Sequence, residues 1–100
     1  MIRLQNYIGG VLQPALGGRW LPNPEPATGQ VFSELPDSGP EDVEAAFQAA
    51  RQAFPAWSRT GLEERYRILI RISEGIEARL EELAAAESRD NGKPVWLARQ

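Results

Sequence analysis

The sequence predicts short β-structure over residues 1–37 and α-helices over 38–100, and three observations carry that division. Before Pro36, glycines and prolines punctuate short runs of β-branched and aromatic residues. After Pro40, apolar residues recur in steps of three and four, as on one face of a helix. The helical stretches are bracketed by proline and acidic starts and by an Asn-Gly stop.

Asn6-Tyr7-Ile8 and Val11-Leu12-Gln13 flank Gly9-Gly10, a dipeptide suited to a tight hairpin turn. Pro14 to Gly18 reads as a loop. Arg19-Trp20-Leu21 and Val31-Phe32-Ser33-Glu34-Leu35 read as two further strands around a polar turn at Asn23–Gln30. So little sheet buries little by itself, so these strands call for a partner surface.

Gly39-Pro40-Glu41-Asp42 opens the first helix, with proline at its first position and acids at the positive end of the dipole. Val43, Ala46, Phe47, Ala50 and Phe54 form its apolar stripe, and Pro55 is expected to end it. Thr60-Gly61-Leu62-Glu63 reads as a capping box for the next helix. Its stripe runs through Leu62, Tyr66, Leu69, Ile72, Ile76, Leu80 and Leu83 and stops at Asp90-Asn91-Gly92-Lys93-Pro94. One helix over that span would be about 45 Å long, against about 34 Å across a compact globule whose radius of gyration is near 13 Å. The charges settle the conflict. Arg65, Arg67 and Arg71 come early and Glu74, Glu77, Glu81, Glu82 and Glu87 late, the wrong order for one macrodipole. Two helices are therefore expected, with a break between Ile76 and Glu82, near Arg79. Pro94 then occupies the first position of a further helix with no stop signal before Gln100, so the chain is expected to continue. No linker, repeat or low-complexity tract divides it, and a single incomplete segment over 1–100 is expected.

A composition of 42% hydrophobic and 25% charged residues is that of a soluble globular protein. The net charge of −3 and the scattered basic residues give no footprint for nucleic acid. No apolar run approaches the ~20 residues of a membrane span, and the cytoplasm is the default expectation. Cysteine and histidine are both absent, which removes a thiolate nucleophile, an imidazole base and the usual zinc ligands from these residues. Neither G-x-G-x-x-G nor a P-loop is present. Glu63 and Glu64 are neighbours that do not face each other on a helix, so they make no acid/base pair. Arg65, Arg67 and Arg71 read as a solvated or salt-bridged face. Trp20, Trp57 and Trp96 read as packing anchors, and Lys93 as a cation placed by the helix dipole.

Six strings occur in one order: Asn6-Tyr7-Ile8-Gly9-Gly10, Pro26-Ala27-Thr28-Gly29-Gln30-Val31, Glu41-Asp42-Val43-Glu44-Ala45-Ala46, Ala49-Ala50-Arg51-Gln52-Ala53-Phe54, Trp57-Ser58 and Asp90-Asn91-Gly92-Lys93-Pro94. Together they resemble the N-terminal portion of the NAD(P)-dependent aldehyde dehydrogenases, over essentially the whole chain. Asn6–Gly10 and Ala86-Glu87-Ser88 are worded most like the hydroxymuconic and aminomuconic semialdehyde enzymes. Glu25 departs from the asparagine more usual before Pro-Ala-Thr-Gly. The resemblance implies an α/β parent fold with a Rossmann-type cofactor domain, binding NAD or NADP and assembling as a homo-oligomer. It also implies a cysteine that attacks the aldehyde, hydride transfer to the nicotinamide, and a glutamate-activated water that hydrolyses the thioester. The matching positions for those groups lie outside these residues, so no catalytic or cofactor-binding residue is assigned here. What the resemblance implies for this segment is a hairpin sheet and helices packed on the cofactor domain. It implies one ligand role, a monovalent cation held through the backbone carbonyl of Asp90. By itself the residue reads first as a helix-terminal carboxylate that organises the Asn91-Gly92 turn. The competing function class is a non-catalytic helical interaction module.

Overall fold

The structure, a computed structural model, describes all 100 residues. Five strands precede four helices: β1 (Ile2–Arg3), β2 (Asn6–Ile8), β3 (Val11–Gln13), β4 (Trp20–Pro24), β5 (Val31–Pro36), α1 (Pro40–Ser58), α2 (Leu62–Ala78), α3 (Leu80–Asn91) and α4 (Val95–Ala98). Their contacts divide the chain into two compact units, Met1–Pro24 with Gln30–Ser58 and Glu25–Gly29 with Arg59–Gln100.

In the first unit, β2 and β3 form the expected antiparallel hairpin, with Ile8 opposite Val11. Gly9 and Gly10 have φ of 60° and 83°, the pair of positive values that a two-residue hairpin turn of the primed type demands. The other sheet has the order β1-β5-β4. β1 has no counterpart among the expected strands; it is two residues long and pairs parallel with Ser33 and Glu34. β4 is longer than expected because it takes in Pro22 and Pro24. It is an edge strand, where a missing N–H costs no ladder bond on the open side. Ser33, on the central strand, is 1% exposed and its Oγ accepts from Asn23 Nδ2 at 3.0 Å. The Arg3 guanidinium lies 5.0 Å from the Trp20 ring centroid and also pairs with Glu34. That leaves Trp20 half-buried, the one tryptophan with a resolved partner.

Pro55 does not end α1, which continues to Ser58. The proline φ suits a helix, and near the C-terminus its cost is one bond to the Arg51 carbonyl. Ser58 Oγ donates to the Pro55 carbonyl at 3.0 Å and closes the last turn.

In the second unit the capping box is displaced. Gly61, not Thr60, is the N-cap of α2 (φ −63°, ψ 154°), with no side-chain cap. Arg65 N–H makes the first helical bond to the Gly61 carbonyl at 3.1 Å. Glu63 is thereby moved out of the reciprocal position, and its carboxylate accepts from Arg67 at 2.6 Å instead. The break falls where the charge order put it. Arg79 leaves helical geometry at φ −118°, ψ 24°, ending α2 at Ala78 and starting α3 at Leu80. Glu81 and Glu82 occupy the first turn of α3 and Arg89 its last, the order that suits the dipole. Pro94 is the N-cap of α4 and not its first residue, because its ψ of 140° is extended.

Burial is sparse. Ala15 and Ala84 are the buried apolar residues, one in each unit. Val43, Phe47, Phe54 and Trp57 of α1 are largely exposed, as are Leu62 (79%), Tyr66 (63%) and Leu69 (64%) of α2 and Trp96 of α4. Trp57 and Trp96 therefore take no part in a core within this chain, which leaves the interface half of the anchor expectation. A self-contained monomer of this mass exposes about 5,700 Å². This chain exposes 7825 Å², so about 2,200 Å² more. The stripes are formed but not covered.

Candidate functional site

Two polar clusters stand out, one in each unit. The first centres on Asp42, 6% exposed in the first turn of α1. Gly39 is the residue before α1, and its carbonyl accepts from the N–H groups of Asp42 and Val43 at 3.1 and 3.2 Å. Asp42 Oδ2 accepts in return from Gly39 N–H at 2.9 Å, the reach-back half of a capping box with aspartate in the glutamate place. Its other oxygen, Oδ1, accepts from Leu16 N–H at 2.9 Å and so pins the loop before β4 to the helix start. The sequence pattern Gly39-Pro40-Glu41-Asp42 held the first bond in view. The second depends on a loop 26 residues earlier.

The second cluster surrounds the end of α3. Gly92 is left-handed (φ 80°) and its N–H donates to the Ser88 carbonyl. The turn is organised by Asn91, whose Oδ1 accepts from Lys93 N–H at 2.8 Å. Lys93 Nζ donates to Glu87. The turn at Glu25–Gly29 joins this end of the helix. Its Gly29 N–H donates to the Glu25 carbonyl at 2.7 Å, and Gly29 has a φ of 71°. Arg89 pairs with Glu25 at 3.3 Å, and a Cβ at Gly92 would lie 3.3 Å from Pro26 Cβ. Two strings of the resemblance, separated by more than 60 positions, thus meet in one unit. Glu25, the departure from the usual asparagine, is the residue that makes the joint.

Asp90 lies exposed in the last turn of α3, between Arg89 and Gly92 of that joint. No group of three or more His, Cys, Asp or Glu side chains is placed to hold a metal. Ion pairs line the rest of α3 and α4. Hydrogen bonding from Arg99 lowers the Glu81 pKa, Arg79 does the same to Glu82, and Lys93 to Glu87. Arg67 takes Glu63, whereas Arg71 has no partner and Arg65 Nε is shielded from solvent with no acceptor. Glu63 and Glu64 do not converge on a common point, as their helical spacing required. The clusters are joints, and neither presents a nucleophile beside a base.

Comparison with known proteins places this scaffold. The fold superposes over 97% of the chain on 20% of the crystal structure of an NAD-dependent aldehyde dehydrogenase from Sinorhizobium meliloti, with a TM-score of 0.91 and 37% identity. The general model of the aldehyde dehydrogenase family matches residues 15–100, and the chain belongs to that family. It is 46% identical over 99 residues to 2-aminomuconic semialdehyde dehydrogenase of Mus musculus, covering 99% of this chain and 20% of that protein. It is 52% identical over 91 residues to acetaldehyde dehydrogenase 2 of Cupriavidus necator, covering 91% and 18%. The chain thus spans about a fifth of the length of the curated relatives it matches.

Proposed function

We propose that this chain is a scaffold segment of an NAD(P)-dependent enzyme that oxidises an aldehyde to a carboxylic acid. The observation that carries the reading is family membership across 15–100, combined with a chain that has neither cysteine nor histidine. In this reading the nucleophile, the general base and the cofactor-binding groups come from elsewhere in the enzyme. These residues supply two pinned joints and apolar helix faces to lie against it. The S. meliloti NAD-dependent enzyme supports a nicotinamide cofactor, NAD or NADP, in the parent enzyme. The mouse relative supports a muconic-type semialdehyde as substrate. A soluble, cytoplasmic homo-oligomer belongs to the same reading. So does Asp90 as a monovalent-cation ligand through its backbone carbonyl, supported by its place at the negative end of the α3 dipole.

The test is a chimera in which this chain replaces the matching segment of the C. necator acetaldehyde dehydrogenase. Aldehyde-dependent NADH formation followed at 340 nm is expected from the chimera and not from the 100-residue chain alone. A soluble chimera without activity, beside an active parent, refutes the scaffold reading. Turnover by the isolated chain refutes it too.

A further inference from the structure

We propose that Asn91 is a site of self-modification: the Gly92 backbone nitrogen attacks the Asn91 side-chain amide, expels ammonia and leaves a succinimide that water opens to isoaspartate or aspartate. The proposal stands apart from the scaffold reading, since it needs only the end of α3 and the turn that follows it.

The chemistry needs an asparagine followed by a backbone N–H that no side chain crowds. The chain has three asparagines, and one of them qualifies. Asn23 precedes Pro24, whose nitrogen carries no hydrogen. Asn6 precedes Tyr7, a bulky residue fixed in the β2–β3 ladder, and its own amide donates to Ser38 Oγ at 2.8 Å. Asn91 is exposed and precedes Gly92, which has no Cβ to hinder approach.

The Asn91 amide is held at both ends. Its Oδ1 accepts from Lys93 N–H at 2.8 Å, which polarises the carbonyl and places a donor where an oxyanion forms when the nitrogen adds. Its NH₂ donates to Glu87, which also accepts from the Lys93 ammonium. A proton source therefore stands beside the group that leaves as ammonia. The N–Cγ bond forms, the Cγ–Nδ2 bond breaks, and solvent base takes the Gly92 proton. No oxidant or reductant is involved. What restrains the reaction is the nucleophile itself, because Gly92 N–H donates to the Ser88 carbonyl at 2.9 Å. While that bond closes the last turn of α3, the nitrogen is turned to the helix and away from Cγ. Helix ends fray, so attack waits on the opening of this bond. A hydrogen bond of ordinary net strength slows the reaction by about 2- to 12-fold relative to an open chain.

The product alters the joint between α3 and the Glu25–Gly29 turn. Isoaspartate carries the main chain through Cβ and Cγ, one carbon longer, so Gly92 loses its register with Ser88 and its place against Pro26. Aspartate adds a negative charge beside Asp90, at the negative end of the α3 dipole.

The experiment ages the 100-residue chain and a peptide of residues 86–97 at mildly alkaline pH, with peptide mapping and isoaspartyl methyltransferase labelling at each time point. Conversion at Asn91, and not at Asn6 or Asn23, is expected at a rate about 2- to 12-fold below that of the peptide. The two rates should converge in denaturing guanidinium. Asn91→Gln, whose longer side chain closes a less favourable ring, should show no conversion at that position. An aged fraction enriched in isoaspartate should have lower amide protection in the last turn of α3 than fresh protein. An unreacted Asn91 after the peptide has converted overturns the proposal. Conversion at the peptide's rate, while far-UV circular dichroism reports intact helices, overturns the cap as its gate. Unchanged protection in the aged fraction overturns its effect on the joint.

Discussion

Replacing Asp42 by asparagine tests whether the first unit is held by a carboxylate or by apolar burial. Both carboxylate oxygens accept from backbone N–H groups at 2.9 Å, Oδ2 from Gly39 and Oδ1 from Leu16. The side chain is 6% exposed and sits in the first turn of α1, where a negative charge is favoured. Asparagine keeps one oxygen and turns an NH₂ toward the other donor. The loss is then one charge-assisted hydrogen bond, about 1.5–3 kcal/mol, plus about 0.5–1 kcal/mol of dipole stabilisation. With a urea slope near 2 kcal/mol/M, a loss of about 2–4 kcal/mol moves the midpoint down by about 1–2 M. Asp42→Ala removes both bonds and should cost more. Asp42→Glu keeps the reach-back to Gly39 and should fall between wild type and asparagine. Tryptophan fluorescence reads the transition, since Trp20 and Trp57 both belong to this unit. An asparagine variant within about 0.3 M of wild type would refute the reasoning, because a slope of this size makes that only about 0.6 kcal/mol.

Three further outcomes follow from particular residues. Glu81, Glu82 and Glu87 have folded pKa values depressed by hydrogen bonds from Arg99, Arg79 and Lys93. Their contribution is complete above the ordinary carboxylate pKa and is lost as pH falls through the depressed folded values. Amide protection factors in α3 and α4, referred to the intrinsic exchange rate at each pH, should therefore fall as the solution is acidified below the ordinary carboxylate range. High salt should shrink the effect, because these pairs are exposed. Gly92→Ala places a Cβ at φ 80° and 3.3 Å from Pro26 Cβ. It should cost about 1–2 kcal/mol, read as a lower melting temperature, with Gly92→Asn less damaging. Pro55→Ala restores an N–H inside α1 where proline is disfavoured by about 3 kcal/mol. Part of that is offset by about 1 kcal/mol through the freer unfolded chain. A net gain of stability with raised helicity by circular dichroism is expected, and a loss would count against the continuous helix.

The local rules read some elements to the residue. A two-residue primed hairpin turn requires two positive φ values, which Gly9-Gly10 adopts without a Cβ penalty, and β2 and β3 follow. The charge order from Arg65 to Glu87 put the break at Arg79, since each helix must meet its own dipole. Local rules failed where two of them competed. Pro55 is a helix breaker by donor count, yet close to a C-terminus it forfeits one bond and the helix runs on. Thr60 fitted a capping box, but the helix started one residue later at Gly61 and left Glu63 to Arg67. β1 was invisible because two residues carry no periodicity at all.

By itself the sequence determined which elements form, where the long helical span divides, and the family through six ordered strings. It also determined what these residues lack for catalysis, because a missing cysteine or histidine is missing in any fold. Tertiary structure alone decided which polar groups became joints. Asp42 reaches Leu16 across 26 positions, and Arg89 reaches Glu25 across 64. No periodicity encodes a bond between segments that only folding brings together. Structure also decided that the stripes of α1 and α2 stay uncovered. A helical pattern specifies which face is apolar, whereas what lies against that face is a property of the packing.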